Sequence, residues 1–243
     1  MRLVTWNCNM ALHRKFEALL RLAPDVAVIC ECAEPERLRL RGDLKAVECD
    51  SIWIGQNPNK GLGVFAFNDY GVRLADVFYP TLRYVAPVHI TGPTTCNLLA
   101  VWAQNASAGI TQKNRAGPLR RALTKYRSFL CEHSAVVAGD LNNNAIWHRP
   151  GWRNNHLSAV TILERYGLVS AYHALRGERQ GCESIPTIYW RDRKKDGPTY
   201  HLDYIFFPRQ WTDHVLEMTI GTYEDWCGSG LSDHVPIVLD IDL

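Results

Sequence analysis

No stretch of this 243-residue sequence is apolar for long enough to cross a bilayer. Its first residues, Met1-Arg2-Leu3-Val4-Thr5-Trp6, show neither a long apolar core nor a small-residue cleavage site, so no export leader is expected. The eight cysteines, at 8, 30, 32, 49, 96, 131, 182 and 227, form no C-x-x-C pair, which argues against a zinc ribbon. Free thiols in a reducing, cytoplasmic setting are expected instead. Charge of one sign is scarce: the net charge is +2, which permits contact with a phosphate polymer without demanding it. Repeats, low-complexity tracts and Ser/Gly-rich linkers are missing as well, so the chain reads as one domain over 1–243. What is present is an ordinary 47% of hydrophobic residues, enough for a sizeable core.

Strand-like runs recur at 2–6, 26–30, 62–68, 84–90, 97–103, 134–139, 202–207 and 235–241, rich in Val, Ile and aromatics and bounded by turn residues. Val26-Ala27-Val28-Ile29-Cys30 and Ala135-Val136-Val137-Ala138 are apolar throughout, which predicts burial on both faces. Helical spacing appears over 12–22, 118–132 and 156–166. Pro118 suits a first helical turn, Asn155 a cap, and Gly167 the position just past an end. This pattern predicts an α/β fold of two packed sheets with helices outside.

Polar residues stand where several apolar runs stop. Asp140 and Asn142 are two apart at a strand end, and in an extended chain they face the same side. A carboxylate there binds a metal or deprotonates a water, and an amide donates to a phosphoryl oxygen. Gly139-Asp140-Leu141-Asn142 is equally good turn chemistry. Glu31 ends a buried strand, where a carboxylate is costly unless paired or metal-bound. Asn7 holds the equivalent place on the first strand and is expected to orient Glu31. Asp203 lies inside a strand pattern and needs a partner, for which His234 is the natural candidate. A carboxylate-held imidazolium offsets charge on a phosphorane-like transition state. Asp233 is a candidate metal or water ligand. Hard oxygen donors of this kind suit Mg²⁺ or Mn²⁺.

In order, Asn7, Glu31, Gly139-Asp140-Leu141-Asn142, His201-Leu202-Asp203-Tyr204 and Ser232-Asp233-His234 resemble the motifs of the endonuclease/exonuclease/phosphatase superfamily. The resemblance runs from residue 5 to residue 237. It implies a four-layer α/β/β/α sandwich of two mixed sheets and metal-dependent phosphoester hydrolysis. It implies that Glu31, supported by Asn7 and Asp233, holds the metal. Asp140 would orient or deprotonate water, Asn142 would hold the phosphate, and His234, paired with Asp203, would stabilise developing charge. The sequence departs from the family where Cys30 replaces a usual glutamine, Asn9 a usual acidic residue of apurinic endonucleases, and Trp102 a histidine or tyrosine. Arginine is common where His201 stands, and Asn105 resembles a phosphate-side asparagine.

For the substrate, nucleic acid, DNA first, is expected. Asn9, Trp102, Asn105, Arg120, Arg121 and Arg193 are the candidate contacts. Arg120 and Arg121 belong to a basic stretch, and Arg193 to the cluster Arg191, Arg193, Lys194 and Lys195. Trp147, His148, Trp152, Tyr189 and Trp190 are candidate stacking surfaces. A lipid, inositol or other small phosphoester is the alternative, although no apolar membrane-binding loop is evident. A non-catalytic nucleic-acid binder that kept the fold is the second alternative. No membrane partner is expected, and a monomer is favoured.

Overall fold

The computed structural model describes residues 1–41, 48–104, 115–132, 134–190 and 194–243. One six-stranded sheet contains β1 (Arg2–Asn7), β2 (Val26–Cys32), β3 (Asp50–Asn57), β4 (Lys60–Ala66), β13 (Val215–Ile220) and β14 (Ile237–Ile241), in the order β13-β14-β1-β2-β4-β3. The second contains β5 (Gly71–Leu74), β6 (Val85–Thr91), β7 (Cys96–Trp102), β8 (Ala135–Asp140), β9 (Leu168–Ser170) and β12 (Asp203–Pro208), in the order β5-β6-β7-β8-β12-β9. A two-stranded ribbon, β10 (Ile188–Tyr189) with β11 (Thr199–Tyr200), stands apart. Each six-stranded sheet has one parallel pair, β1 with β2 and β7 with β8, among antiparallel neighbours. Parallel strands need a crossover. The first runs through α1 (Phe16–Leu20), the second through α3 (Pro118–Lys125) and α4 (Arg127–Cys131), while α2 (Pro35–Arg41) follows β2.

Period-two alternation builds the layers. Leu3, Val28, Val64, Leu239, Val88, Leu98, Val136 and Ile205 meet in a core between the sheets. Their strand neighbours Val4, Ile29 and Phe65 turn outward under Leu12, Phe16, Leu19 and Leu38. On the other outer face, Leu99, Val137 and Phe206 pack under α3, α4 and α5 (His156–Arg165). Two mixed sheets with helices outside thus form the expected α/β/β/α sandwich. Burying one such Val, Leu or Phe contributes roughly 1.5–3 kcal/mol, which is why the apolar alternation sets the strand register.

The eight expected strands are present within about two residues at each end. The strands β3, β5, β9 and β13 at the sheet edges were not expected, nor were α2 and α6 (Ala171–Arg176). The expected helix over 12–22 is a 3-10 turn at Leu12–Arg14 followed by α1. Lys15 breaks it, its ammonium reaching back to the Cys8 carbonyl at 2.6 Å. The expected helix over 118–132 divides at Tyr126, whose hydroxyl accepts from the Tyr79 N–H at 2.9 Å. Pro118 does open α3, and Gly167, at φ 79°, does follow α5. Asn155 sits at the α5 N-cap, but its amide ties the turn before the helix, bonding Arg149 and Trp152.

Candidate active site

The alternation that fills the inter-sheet core also aims the polar strand ends. Leu3, then Thr5 and Asn7, lie on the inner side of β1; Val136 and Ala138, then Asp140, lie on the inner side of β8. The same count places Asp203 on the inner side of β12, ahead of Ile205 and Phe207. Because both parallel pairs end at one edge of the sandwich, these groups meet where the apolar layer stops. Ligands in α/β sheets gather at such carboxyl ends.

Asp140 is buried and gripped by donors. The Asn7 Nδ2 donates to its Oδ2 at 3.0 Å, the Asn142 Nδ2 donates to the same oxygen at 2.6 Å, and the Asn142 N–H donates to Oδ1 at 2.8 Å. Asp203 is its register partner on β12. Burial pushes the Asp140 carboxyl up to about 7 and the Asp203 charge adds to the rise, while His234, the Asn7 amide and the Asn142 N–H pull against it. A group titrating there is suited to take a proton near neutral pH.

Asp203 accepts from His234 Nδ1 at 2.8 Å. Burial disfavours the charged ring, but the charge and hydrogen bond of Asp203, with Asp140 and Asp233 behind it, hold its pKa up at about 10. The Asp203 carboxylate thus favours the protonated form of the ring. Asp203 is itself fixed through Thr187, whose Oγ1 accepts the N–H groups of Leu202 and Asp203 at 2.9 and 3.0 Å. Its Oδ1 is buried with no hydrogen-bond partner among the described residues.

Ser232 stitches the C-terminal motif to β1. Its hydroxyl donates to the Asn7 carbonyl at 2.7 Å and accepts the His234 N–H at 3.1 Å, while Trp6 Nε1 donates to the His234 carbonyl at 3.1 Å. Glu31 leaves its strand at a bulge: β2 slips register between Cys30 and Cys32, and Glu31 takes a left-handed φ of 58°. Cys30 stays in the inter-sheet core while Cys32 turns outward, so the bulge releases the carboxylate from both faces. Its Oε2 lies 3.0 Å from Lys60 Nζ.

No protein-family model matches the sequence, and no curated protein does. Solved structures do match its fold. The 3' phosphatase NExo from Neisseria, bound to a product DNA hairpin, is 16% identical at a TM-score of 0.72, with 100% of both chains covered. The AP endonuclease LMAP from Leishmania major is 14% identical at 0.73, covering 100% of this chain and 87% of its own. An AP endonuclease from Archaeoglobus fulgidus is 17% identical at 0.67, with both chains fully covered. The chain has the endonuclease/exonuclease/phosphatase fold.

Within that fold, Asn7 and Asn142 bond Asp140, His234 bonds Asp203, and Ser232 links the two sets. Two local expectations change. Asn7 turns its amide nitrogen to Asp140 and its Oδ1 to the Asn9 N–H, and no bond to Glu31 is found among the described residues. Asn142 does not face the site by extended alternation: β8 stops at Asp140, and Asn142, at φ 46°, folds back onto it. Asn9 closes a turn by donating its N–H to Asn7 Oδ1 at 3.0 Å. Trp102 is only 3% exposed, so its ring holds neighbouring side chains and offers little face to a substrate. Arg121 is exposed, and Arg120 donates to the Arg153 carbonyl at 2.8 Å. Asn105 and Arg193 lie outside the described residues. Lys195 is committed to Glu224.

Sequence reasoning missed Thr187, Ser232, Lys60 and Asn144 as supports. Asn144 caps the turn after Asn142, accepting from the Ile146 N–H at 2.9 Å and donating to the His201 carbonyl at 2.9 Å. Its place in the Asn142-Asn143-Asn144 run was a visible signal. Nothing local marks Thr187 or Lys60.

Proposed function

We propose that the protein, one domain over 1–243, is a divalent-metal-dependent phosphodiesterase acting on nucleic acid, DNA first. The observation that carries this is a geometry: in one buried site Asp140 is gripped by Asn7 and Asn142, and its register partner Asp203 holds His234 Nδ1 at 2.8 Å. Asp140 takes the proton of the attacking water, the Asn142 amide holds a phosphoryl oxygen, and His234 neutralises charge as it builds on the phosphorus oxygens.

Asp140, Asp203 and His234 offer potential ligand atoms within 4.8 Å of one another. His234 Nδ1 is engaged by Asp203 and the Asp140 carboxylate by three donors, so that cluster serves proton handling and charge stabilisation in this reading, with the ion held beside it. The oxygens of Glu31, Asn7 and Asp233 are the proposed ligands. In kind they fit Mg²⁺ or Mn²⁺: all are hard oxygen donors, and Glu31 already holds a cationic group. The ion would add positive charge for the phosphate oxygens.

DNA is favoured by the surroundings of the site. Trp147 and Trp190 are 41% and 47% exposed, and both pack on Tyr200, at 4.9 and 5.9 Å, in segments joined to Asn142 and Asp203. Such rings stack on unpaired bases. The structural neighbours named for acting on DNA agree with this reading. No helix among the described residues is long and apolar enough to cross a membrane. The eight free thiols fit a reducing, cytoplasmic setting.

The test is a panel of labelled single- and double-stranded DNA, an abasic duplex, a 3'-phosphorylated hairpin, RNA and model phosphodiesters. Wild type with Mg²⁺ or Mn²⁺ should cleave at least one DNA, EDTA should stop it, and Asp140→Ala prepared in parallel should be inert. Binding without cleavage of any member would sink the enzyme reading.

A further inference from the structure

Lys60 opens β4 and touches both halves of the sandwich. Its Nζ lies 3.0 Å from Glu31 Oε2, on the first sheet, and 5.3 Å from the centre of the Trp102 ring, on the second. Trp102 packs on Tyr84 in a tilted contact, ring centres 4.8 Å apart, and is the register partner of Asp140. The ammonium is thus held on an indole face beside the strand end that carries the proposed base. The Lys60 and Glu31 side chains are 35% and 18% exposed, so the pair is reachable from solvent. An ion pair open to solvent adds little stability. Meanwhile Glu31 is held in a left-handed conformation that costs a non-glycine residue energy. A simple structural clip gives no reason for that cost.

Building on the phosphoesterase reading, we propose that Lys60 is a positioning residue with two partners in turn. In the resting protein its ammonium is the counter-ion of Glu31. When a divalent cation takes the carboxylate, the ammonium is freed, stays on the Trp102 face, and binds a non-bridging oxygen of the substrate phosphate. The indole has no acceptor and its face favours a cation, so it keeps the charged head near the site without competing for it. Lys60 therefore opposes metal binding while it favours phosphate binding.

Two binding measurements on the intact protein test this without turnover. Mn²⁺ alone is titrated by electron paramagnetic resonance, and inorganic phosphate by calorimetry at saturating Mg²⁺. Lys60→Met keeps the stem and removes the charge. It should tighten Mn²⁺ and weaken phosphate, each by about tenfold, as expected for losing one near charge. Lys60→Arg should stay within about threefold of wild type for phosphate, since it keeps the charge. A lower melting temperature with both affinities unchanged would make Lys60 a structural clip and overturn the proposal. Tighter Mn²⁺ with unchanged phosphate binding would overturn it too. Wild type that binds no Mn²⁺ at all would overturn the phosphoesterase reading and this proposal together, whereas normal wild-type Mn²⁺ binding with an unaltered Lys60→Met fails the proposal alone.

Discussion

Asp140 and His234 divide the proposed chemistry, and each depends on a different kind of support. Asp140 is held by neutral donors that orient it without cancelling its charge. His234 is held by Asp203, whose charge and hydrogen bond favour the protonated ring. Asp140→Asn preserves shape but removes the base, so kcat should fall on the order of a hundredfold or more while KM changes little. His234→Ala should cost a similar factor in kcat. It also leaves the buried Asp203 unpaired, so His234→Ala should lower the urea midpoint more than Asp140→Asn does. Equal kcat for Asp140→Asn and wild type, measured on one cleavable DNA, would place the site elsewhere.

Strand ends, more than whole strands, carry the site. β2 ends in a bulge that frees Glu31, and β8 ends in a turn that folds Asn142 onto Asp140. Gly139 shows how tightly the second of these is built. It sits at φ 141°, and a Cβ there would meet the Val101 carbonyl oxygen at 1.8 Å. That atom belongs to the backbone of the paired strand β7, which cannot yield cheaply. Gly139→Ala should therefore destabilise the fold by ~3 kcal/mol or more and displace Asp140, so that both the thermal midpoint and the activity of any remaining folded protein drop. A thermal midpoint within about a degree of wild type would contradict this packing.

Acid stability is a property of the fold taken together, through a buried shell behind the site. His156, His173 and His201 surround Tyr204, and Glu183 links His173 to Asn144. Burial lowers His156 to about 4, against the opposing Gln180 hydrogen bond and Glu183 charge, and burial lowers His201 as well. Burial favours the neutral form of both rings in the fold, whereas the unfolded chain takes up protons below the usual histidine value of 6.5. The resulting stability is present above pH 6.5 and is lost as pH falls toward about 4. Glu183, held down at about 2 by its hydrogen bonds despite partial burial, extends the loss below 4.5. Each histidine should contribute a fall of roughly 1.4 kcal/mol per pH unit through the first window, partly offset by Asp140, whose raised carboxyl takes up a proton in the fold before it does in the unfolded chain. His156→Phe should flatten that slope. A pH dependence of the urea midpoint between pH 7 and 5 that is the same in His156→Phe as in wild type would argue against a neutral, buried His156.

Local spacing was enough to reveal the central strands, the crossover helices and the polar residues at strand ends. Those features follow from period-two and period-3.6 patterns that any short window contains. The Asp203–His234 pair was legible for a related reason: a carboxylate inside an apolar run requires a partner. The edge strands β3 and β13 were not legible, because a strand that is half exposed keeps only part of its alternation. Tertiary structure alone decided that Asn7 serves Asp140, 133 residues away, and not Glu31. It alone placed Lys60 between Glu31 and Trp102, and Thr187 beneath Asp203. These contacts join segments that share no local pattern, and only the packing of one sheet on the other brings their ends together.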